Sequence, residues 1–171
     1  MSILHRAFDA TLEVRDDGRT LEGVAVPYAV DARVGRYVER FAPGAFAGVG
    51  ATVLTAAHPR NGSELPIGVS VELREEPDGL HGAWHVSEVE LGNEVLALVR
   101  DGVPLGLSVG FVPGRDRWNR ERTHVERISA TLDHVAVVRS PAYPDARIAA
   151  LRAAQQPCTM PRLFVAQLRL R

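Results

Sequence analysis

Apolar and polar residues alternate along several short stretches of this chain, and a period of two is typical of β-strands. In residues 105–111 (LGLSVGF) apolar residues occupy every second position, with Gly106, Ser108 and Gly110 between them. A hydroxyl flanked by two residues without side chains leaves room for another backbone to approach Ser108. A nucleophilic serine that cuts polypeptides needs such room, although a strand packed closely against a neighbour has the same pattern.

Further alternating stretches predict two hairpins. The strands of one hairpin flank a turn at residues 16–19, and the strands of the other flank the Glu-Pro-Asp-Gly turn at residues 76–79. The predicted strands are residues 11–14, 20–26, 36–41, 51–57, 67–73, 80–87, 105–111 and 123–138. Residues 115–122 are dense in charge and predict a solvated loop.

Residues 92–100 have the clearest helical period, which places Leu91, Val95, Leu98 and Val99 on one face. Many short strands with few helices indicate a β-rich α+β protein, built as a barrel or a sandwich.

Composition excludes several classes of protein. A chain of 171 residues with 46% hydrophobic content fits one globular domain. The net charge of −1 gives no general electrostatic attraction to nucleic acid. The single cysteine, Cys158, forms no internal disulfide, and no apolar run has the length of a signal peptide or a membrane span. We expect a soluble protein made in the cytoplasm.

The charge is unevenly distributed. Residues 152–171 contain four Arg and no acid, so the remaining 16 basic and 21 acidic residues give a formal charge of −5. This asymmetry predicts a domain of residues 1–151 followed by a basic C-terminal tail of residues 152–171.

A nucleophilic serine needs a base and a group that orients the base. His58 ends an apolar strand beside a glycine-bearing loop, where catalytic side chains are common. His134 lies between apolar neighbours, where a core histidine is the usual occupant. His81 and His85 share a face, but the sequence supplies no third ligand near them, so no metal site is predicted.

The string around Ser108 also fits the G-x-S-x-G nucleophile elbow of α/β-hydrolases. That elbow requires a strand before the serine and a helix after it. Here a helical pattern precedes the serine and strand-like residues follow it, so the sequence argues against an α/β-hydrolase.

Five segments resemble, in order, sequence blocks of the prohead (capsid-maturation) proteases of tailed phages, serine endopeptidases related to herpesvirus assemblins. The segments are residues 21–28 (LEGVAVPY), residues 39–46 (ERFAPGAF), His58 with residues 66–68 (PIG), residues 102–111 (GVPLGLSVGF), and residues 132–138 (LDHVAVV) with residues 141–146 (PAYPDA). The resemblance covers residues 12–151. It implies an assemblin-like closed β-barrel with a few flanking helices.

The resemblance implies that Ser108 is the nucleophile and His58 the general base. Two positions depart from the family pattern. The histidine block usually reads His-Asp, where this chain has Pro59 after the histidine. The third catalytic position is usually Glu in the phage proteases, and this chain has His134 there. Assemblins use a Ser-His-His arrangement, so His134 fits the third role.

Other residues are candidates for supporting roles. Glu126 and Asp133 are alternative orienting groups, although Asp133 directly precedes His134 in a strand and is expected to point to the opposite face. Backbone N–H groups near Gly110 or the side chain of Arg139 are candidates for the oxyanion hole. Arg139 follows the His134 strand, where assemblins carry arginine, but a strand-end surface arginine is the alternative.

The function implied is a serine endopeptidase that processes scaffold and capsid protein during prohead maturation and cleaves itself. The resemblance implies that the protein acts in the host cytoplasm, inside the assembling procapsid. It implies no cofactor and no nucleic-acid or membrane partner. A homo-oligomer is left open. The rival hypothesis is an inactive assembly or scaffold protein that keeps the same barrel. The departures from the family pattern at positions 59 and 134 support it.

Overall fold

The computed structural model describes residues 3–57 and 65–139, which form twelve β-strands and one α-helix, α1 (Glu90–Arg100). The strands, in chain order, are β1 (Leu4–Asp9), β2 (Glu13–Val14), β3 (Thr20–Pro27), β4 (Ala32–Val34), β5 (Tyr37–Phe41), β6 (Val53–Thr55), β7 (Gly68–Glu76), β8 (Gly79–Val86), β9 (Leu105–Pro113), β10 (Asp116–Trp118), β11 (His124–Arg127) and β12 (Ala130–Arg139). No helix in this part of the chain has the length and apolar character to cross a membrane.

Eight strands form a curled, half-barrel sheet in the order β1-β9-β12-β6-β7-β8-β3-β2, and four form a second sheet in the order β10-β11-β5-β4. Neighbours are antiparallel except β6 with β12 and β5 with β11, which are parallel. The strand-rich fold class is confirmed. A closed barrel is not shown, because β1 and β2 end the large sheet without pairing to each other within residues 3–57.

Both predicted hairpins are confirmed, since β2 pairs with β3 and β7 pairs with β8. Three strands were not predicted. One is β4, a short partner of β5. Another, β1, pairs with β9 along its whole length. The third, β10, lies where charge density indicated a loop, and Trp118 at its end packs edge-on against Tyr37 at a ring-centroid distance of 5.3 Å.

The core lies on the apolar face of β9. Leu107, Val109 and Phe111 are fully buried there, and each such side chain stabilises the fold by about 1.5–3 kcal/mol. Phe111 meets Phe41 edge-on, with ring centroids 5.1 Å apart, and so joins the large sheet to β5. The alternation of β9 therefore places Gly106, Ser108 and Gly110 on the face directed away from this core.

The predicted apolar face of α1 is wrong in part. Gly92, Val95 and Leu96 are its buried residues, whereas Leu91 and Leu98 are largely exposed. Gly92 sets the orientation, because a Cβ there would lie 2.6 Å from the carbonyl oxygen of Ser87. The helix thus packs against the end of β8 through the side that carries Gly92. The apolar period of the helix sequence does not indicate this orientation.

Candidate active site

Ser108 lies near the middle of β9, between two strands that present small side chains to it. Ala7 on β1 and Ala136 on β12 are its partners in register. Thr55 on β6 is in register with Ala136, so one row of small residues crosses four strands. Ser108 is buried, with 1% of its surface exposed. The sequence prediction of a serine on a small-residue face is confirmed.

His134 occupies the next row on the same face. It is the register partner of Gly110, and its imidazole lies directly over that glycine. A Cβ on Gly110 would lie 2.2 Å from His134 Cε1 and 2.5 Å from Nδ1, which no side chain tolerates. Gly110 therefore makes room for the imidazole two residues along the strand from Ser108. The structure brings Ser108, Gly110 and His134 together as neighbours on β9 and β12.

A β-bulge precedes His134 and changes the expected direction of Asp133. Leu132 pairs with Phe111 and His134 pairs with Gly110, so two steps on β12 match one step on β9. Such an extra residue disturbs strict alternation. The Asp133 carboxylate consequently reaches the ring of its neighbour, with 2.8 Å between Asp133 Oδ2 and His134 Nδ1. The expectation that Asp133 points away from His134 is wrong for this reason.

His5 is a member of the site that the sequence analysis missed. It is the partner of Gly110 from the β1 side, and its ring centroid lies 5.4 Å from that of His134. Partial burial, then the neighbouring His134, lowers the pKa of His5 below its usual 6.5, while Asp133 acts in the opposite direction. The neutral imidazole is therefore the favoured form of His5 at neutral pH.

A buried ion-pair network holds β1 against the second sheet. Glu39 on β5 accepts hydrogen bonds from Arg6, the residue after His5, and from Arg127 on β11, whose Nε lies 2.6 Å from Glu39 Oε1. Arg127 also donates to Asp116 at 2.5 Å. Glu39 is only 1% exposed. The glutamate of the ERFAPGAF block thus anchors the strand that flanks Ser108.

The remaining predicted site residues are placed less directly. His58 lies outside the described residues, and the preceding strand, β6, pairs with the His134 strand. Arg139 is exposed at the end of β12, where it is in register with Leu105. Strand alternation places it on the face opposite His134, so the structure does not bring it onto the Ser108 face. Glu126 lies in the second sheet and pairs with Arg117.

His81 has acidic neighbours that the sequence analysis missed. Its Nε2 lies 3.0 Å from Asp78 Oδ1 and 4.0 Å from Glu76 Oε2, at the tip of the β7–β8 hairpin. Ligand atoms of these three residues lie within 4.8 Å of one another, close enough to contact one cation. Arg74 already pairs with Glu76, and the group lies three to four strands from β9 in the sheet order.

Comparison with known proteins agrees with this fold. The bacteriophage T4 capsid assembly protease, gp21, has a similar fold, with a TM-score of 0.60 at 14% sequence identity. The match covers 82% of this chain and 98% of gp21. No curated protein matches the chain. The sequence model of the caudovirus prohead serine proteases matches residues 6–160 and so takes in both the Ser108 and the His134 strands. This chain therefore belongs to the caudovirus prohead serine protease family.

Proposed function

We propose that this protein is a serine endopeptidase that cuts the scaffold and the capsid protein of its own phage inside the assembling procapsid, and that it cleaves itself. Ser108 is the nucleophile, His58 the general base and His134 the residue that orients the base. One observation carries this proposal: Ser108 and His134 occupy adjacent rows of the same face, on paired strands. We further propose that the sheet closes as an assemblin-like barrel.

The chemistry follows the serine-protease pattern. The Ser108 hydroxyl loses its proton to His58 while its oxygen forms a bond to the carbonyl carbon of the scissile peptide. His58 then gives that proton to the leaving amine, the C–N bond breaks, and an ester on Ser108 remains. Water, deprotonated in its turn by His58, attacks the ester, and the acid product leaves with Ser108 restored.

The chain length from β6 supports His58 as the base. Thr55 lies two strands from Ser108 in the same row, a separation of about 10 Å at the usual strand spacing. His58 follows Thr55 by three residues, and three extended residues span about 10 Å. The histidine is therefore attached at a point from which it can reach the serine.

For the oxyanion hole, we propose a backbone N–H near Gly110 rather than the Arg139 side chain. Gly110 lies two residues from Ser108 on the same strand face, whereas Arg139 belongs to the opposite alternation of β12. Donors must lie about 3 Å from the developing oxyanion to stabilise it.

One observation favours the rival, an inactive assembly protein. Ser108 is only 1% exposed, whereas a nucleophile must be reached by a peptide carbonyl. The two functions differ in a single measurable activity, because only the protease cleaves capsid protein or scaffold.

The test is cleavage of the phage's own purified capsid protein and scaffold by the full chain and by Ser108→Ala. We expect the wild type to cut and Ser108→Ala to lose activity by roughly a million-fold, with an unchanged melting temperature. Ser87→Ala, at an exposed serine after β8, is the matched control and should keep full activity. No cleavage by either would favour the rival, whereas equal cleavage by the wild type and Ser108→Ala would show that Ser108 is not the nucleophile.

A further inference from the structure

The pair formed by Asp133 and His134 has a defined hydrogen-bond direction. An ionised carboxylate only accepts hydrogen bonds, so His134 Nδ1 carries the proton across the 2.8 Å contact. In the neutral ring, Nε2 then carries the lone pair. One of the two imidazole tautomers is thereby selected by the neighbouring residue.

The backbone that creates this pair is itself held in place. The main-chain oxygen of Asp133 accepts a hydrogen bond from the Thr52 hydroxyl at 3.0 Å, and the Thr52 amide donates to the Ser70 hydroxyl at 2.9 Å. Thr52 is 5% exposed. The bulge is thus fixed from the β6 side, while Gly110 fixes the position of the ring from the β9 side.

We propose that Asp133 is a positioning residue of the active site, which holds His134 in the Nδ1–H tautomer and supplies the negative charge of the catalytic array. This inference rests on the proposed function. His134 Nε2 then accepts a hydrogen bond from an N–H of the general base, and the Asp133 carboxylate stabilises the imidazolium that forms during acylation. The array then has two imidazoles and one carboxylate in series. In this arrangement His134 orients the general base, and the Asp133 carboxylate orients His134.

The charges around the pair are consistent with this role. From β1, His5 faces the pair in its favoured neutral form, and the neighbouring Arg6 is paired with Glu39. The residues in register with His134 on β9 and β6 are Gly110 and Val53, which carry no charge. Asp133 is an acidic group in direct contact with the His134 ring.

The exposure of Asp133 limits the size of the effect. Its side chain is 47% exposed, against 5% for His134, so solvent screens part of its charge. We therefore expect Asp133→Asn to lower kcat about 10- to 100-fold, as is usual for residues that act through another side chain, with little change in KM. The loss should be much smaller than that of Ser108→Ala.

A pH profile separates positioning from structural support. Removal of a negative charge makes an imidazolium less stable, so the acidic limb of the kcat/KM profile should move to lower pH in Asp133→Asn. Asp133→Glu keeps the charge and should recover part of the rate. Asp101→Asn removes the same charge at an exposed site after α1 and should leave the rate and the profile unchanged.

Nitrogen NMR of His134 in the full chain tests the pair without any substrate. The wild type should show the Nδ1–H tautomer, and Asp133→Ala, which removes the acceptor, should lose this preference. A tautomer preference that is unchanged in Asp133→Ala, or a kcat/KM profile that moves no more in Asp133→Asn than in Asp101→Asn, would overturn the inference even in an active protease. A wild type that shows the tautomer but cleaves neither capsid protein nor scaffold would instead overturn the proposed function.

Discussion

The imidazole of His134 crosses Gly110 so closely that a single added carbon at the glycine would lie 2.2 Å from the ring. Gly110→Ala should therefore displace His134, with about 1–3 kcal/mol lost from the free energy of unfolding through overpacking. A displacement of this kind can lower a catalytic rate about 100-fold. Denaturant unfolding and cleavage rates measure both effects. Gly50→Ala, where a Cβ meets nothing within 4 Å, is the control, and a Gly110→Ala variant as active as this control would contradict the packing argument.

Substitution of His134 distinguishes a catalytic from a core role. His134→Ala should lower the cleavage rate strongly, though less than Ser108→Ala, with little change in melting temperature. His134→Glu should recover much of the rate, because a carboxylate can orient a histidine base. The glutamate would lie beside Asp133, so we expect better recovery when Asp133→Asn is added to relieve the repulsion of two carboxylates. If His134→Ala melts far below the wild type, the histidine is a core residue.

Glu39→Gln should destabilise the protein substantially. The substitution leaves Arg6 and Arg127 buried without their shared carboxylate, and breaking a buried ion pair in this way costs about 3–5 kcal/mol. Urea unfolding measures the loss. Glu22→Gln removes a similar pair from Arg15, but both side chains there are more than one-third exposed, so its effect should stay within about 1 kcal/mol. Equal losses in the two variants would show that burial does not govern this network.

The environment of Asp17 predicts that part of the protein's folding stability is lost at low pH. Hydrogen bonds from the Thr20 hydroxyl and from the Arg19 and Thr20 amides lower the pKa of Asp17 from 3.8 to about 2. A lowered carboxyl pKa contributes stability above the unfolded pKa, and this is lost as the pH falls from 3.8 towards 2. The melting-temperature difference between wild type and Asp17→Asn should therefore narrow between pH 5 and pH 2. A constant difference across this range would assign the effect to hydrogen bonding alone.

The basic tail should be dispensable for catalysis. A chain stopped after residue 151 should melt within a few degrees of the full protein and keep its peptidase activity, because residues 155–161 have no regular period and contain two prolines, which separate residues 163–171 from the domain. Their structure lies outside the described residues. A second chain stopped after residue 160, where the family match ends, locates the boundary. If only the longer chain is soluble and active, the domain extends beyond residue 151.

Local alternation predicted most of the large sheet, including the strand and face of Ser108. The features that it missed depend on distant residues. In β1, Arg6 occupies a buried position and so conceals the pattern, because its charge is compensated by Glu39, 33 residues away. The bulge at Asp133 brings its carboxylate to the His134 ring, and the composition of the strand does not indicate such a bulge. His5 therefore entered the site only through pairing between strands, whereas Asp133, already a candidate from the sequence, contacts the His134 ring through the bulge.

The row that holds Ser108 is assembled from residues 7, 55, 108 and 136, contributed by strands far apart in the chain. No fragment that lacks any of these strands contains the complete row. Long-range pairings of this kind form late and slowly, because each must close a large loop. A chain that is still folding would consequently have no peptidase activity, and folding itself would delay the first cleavage after synthesis.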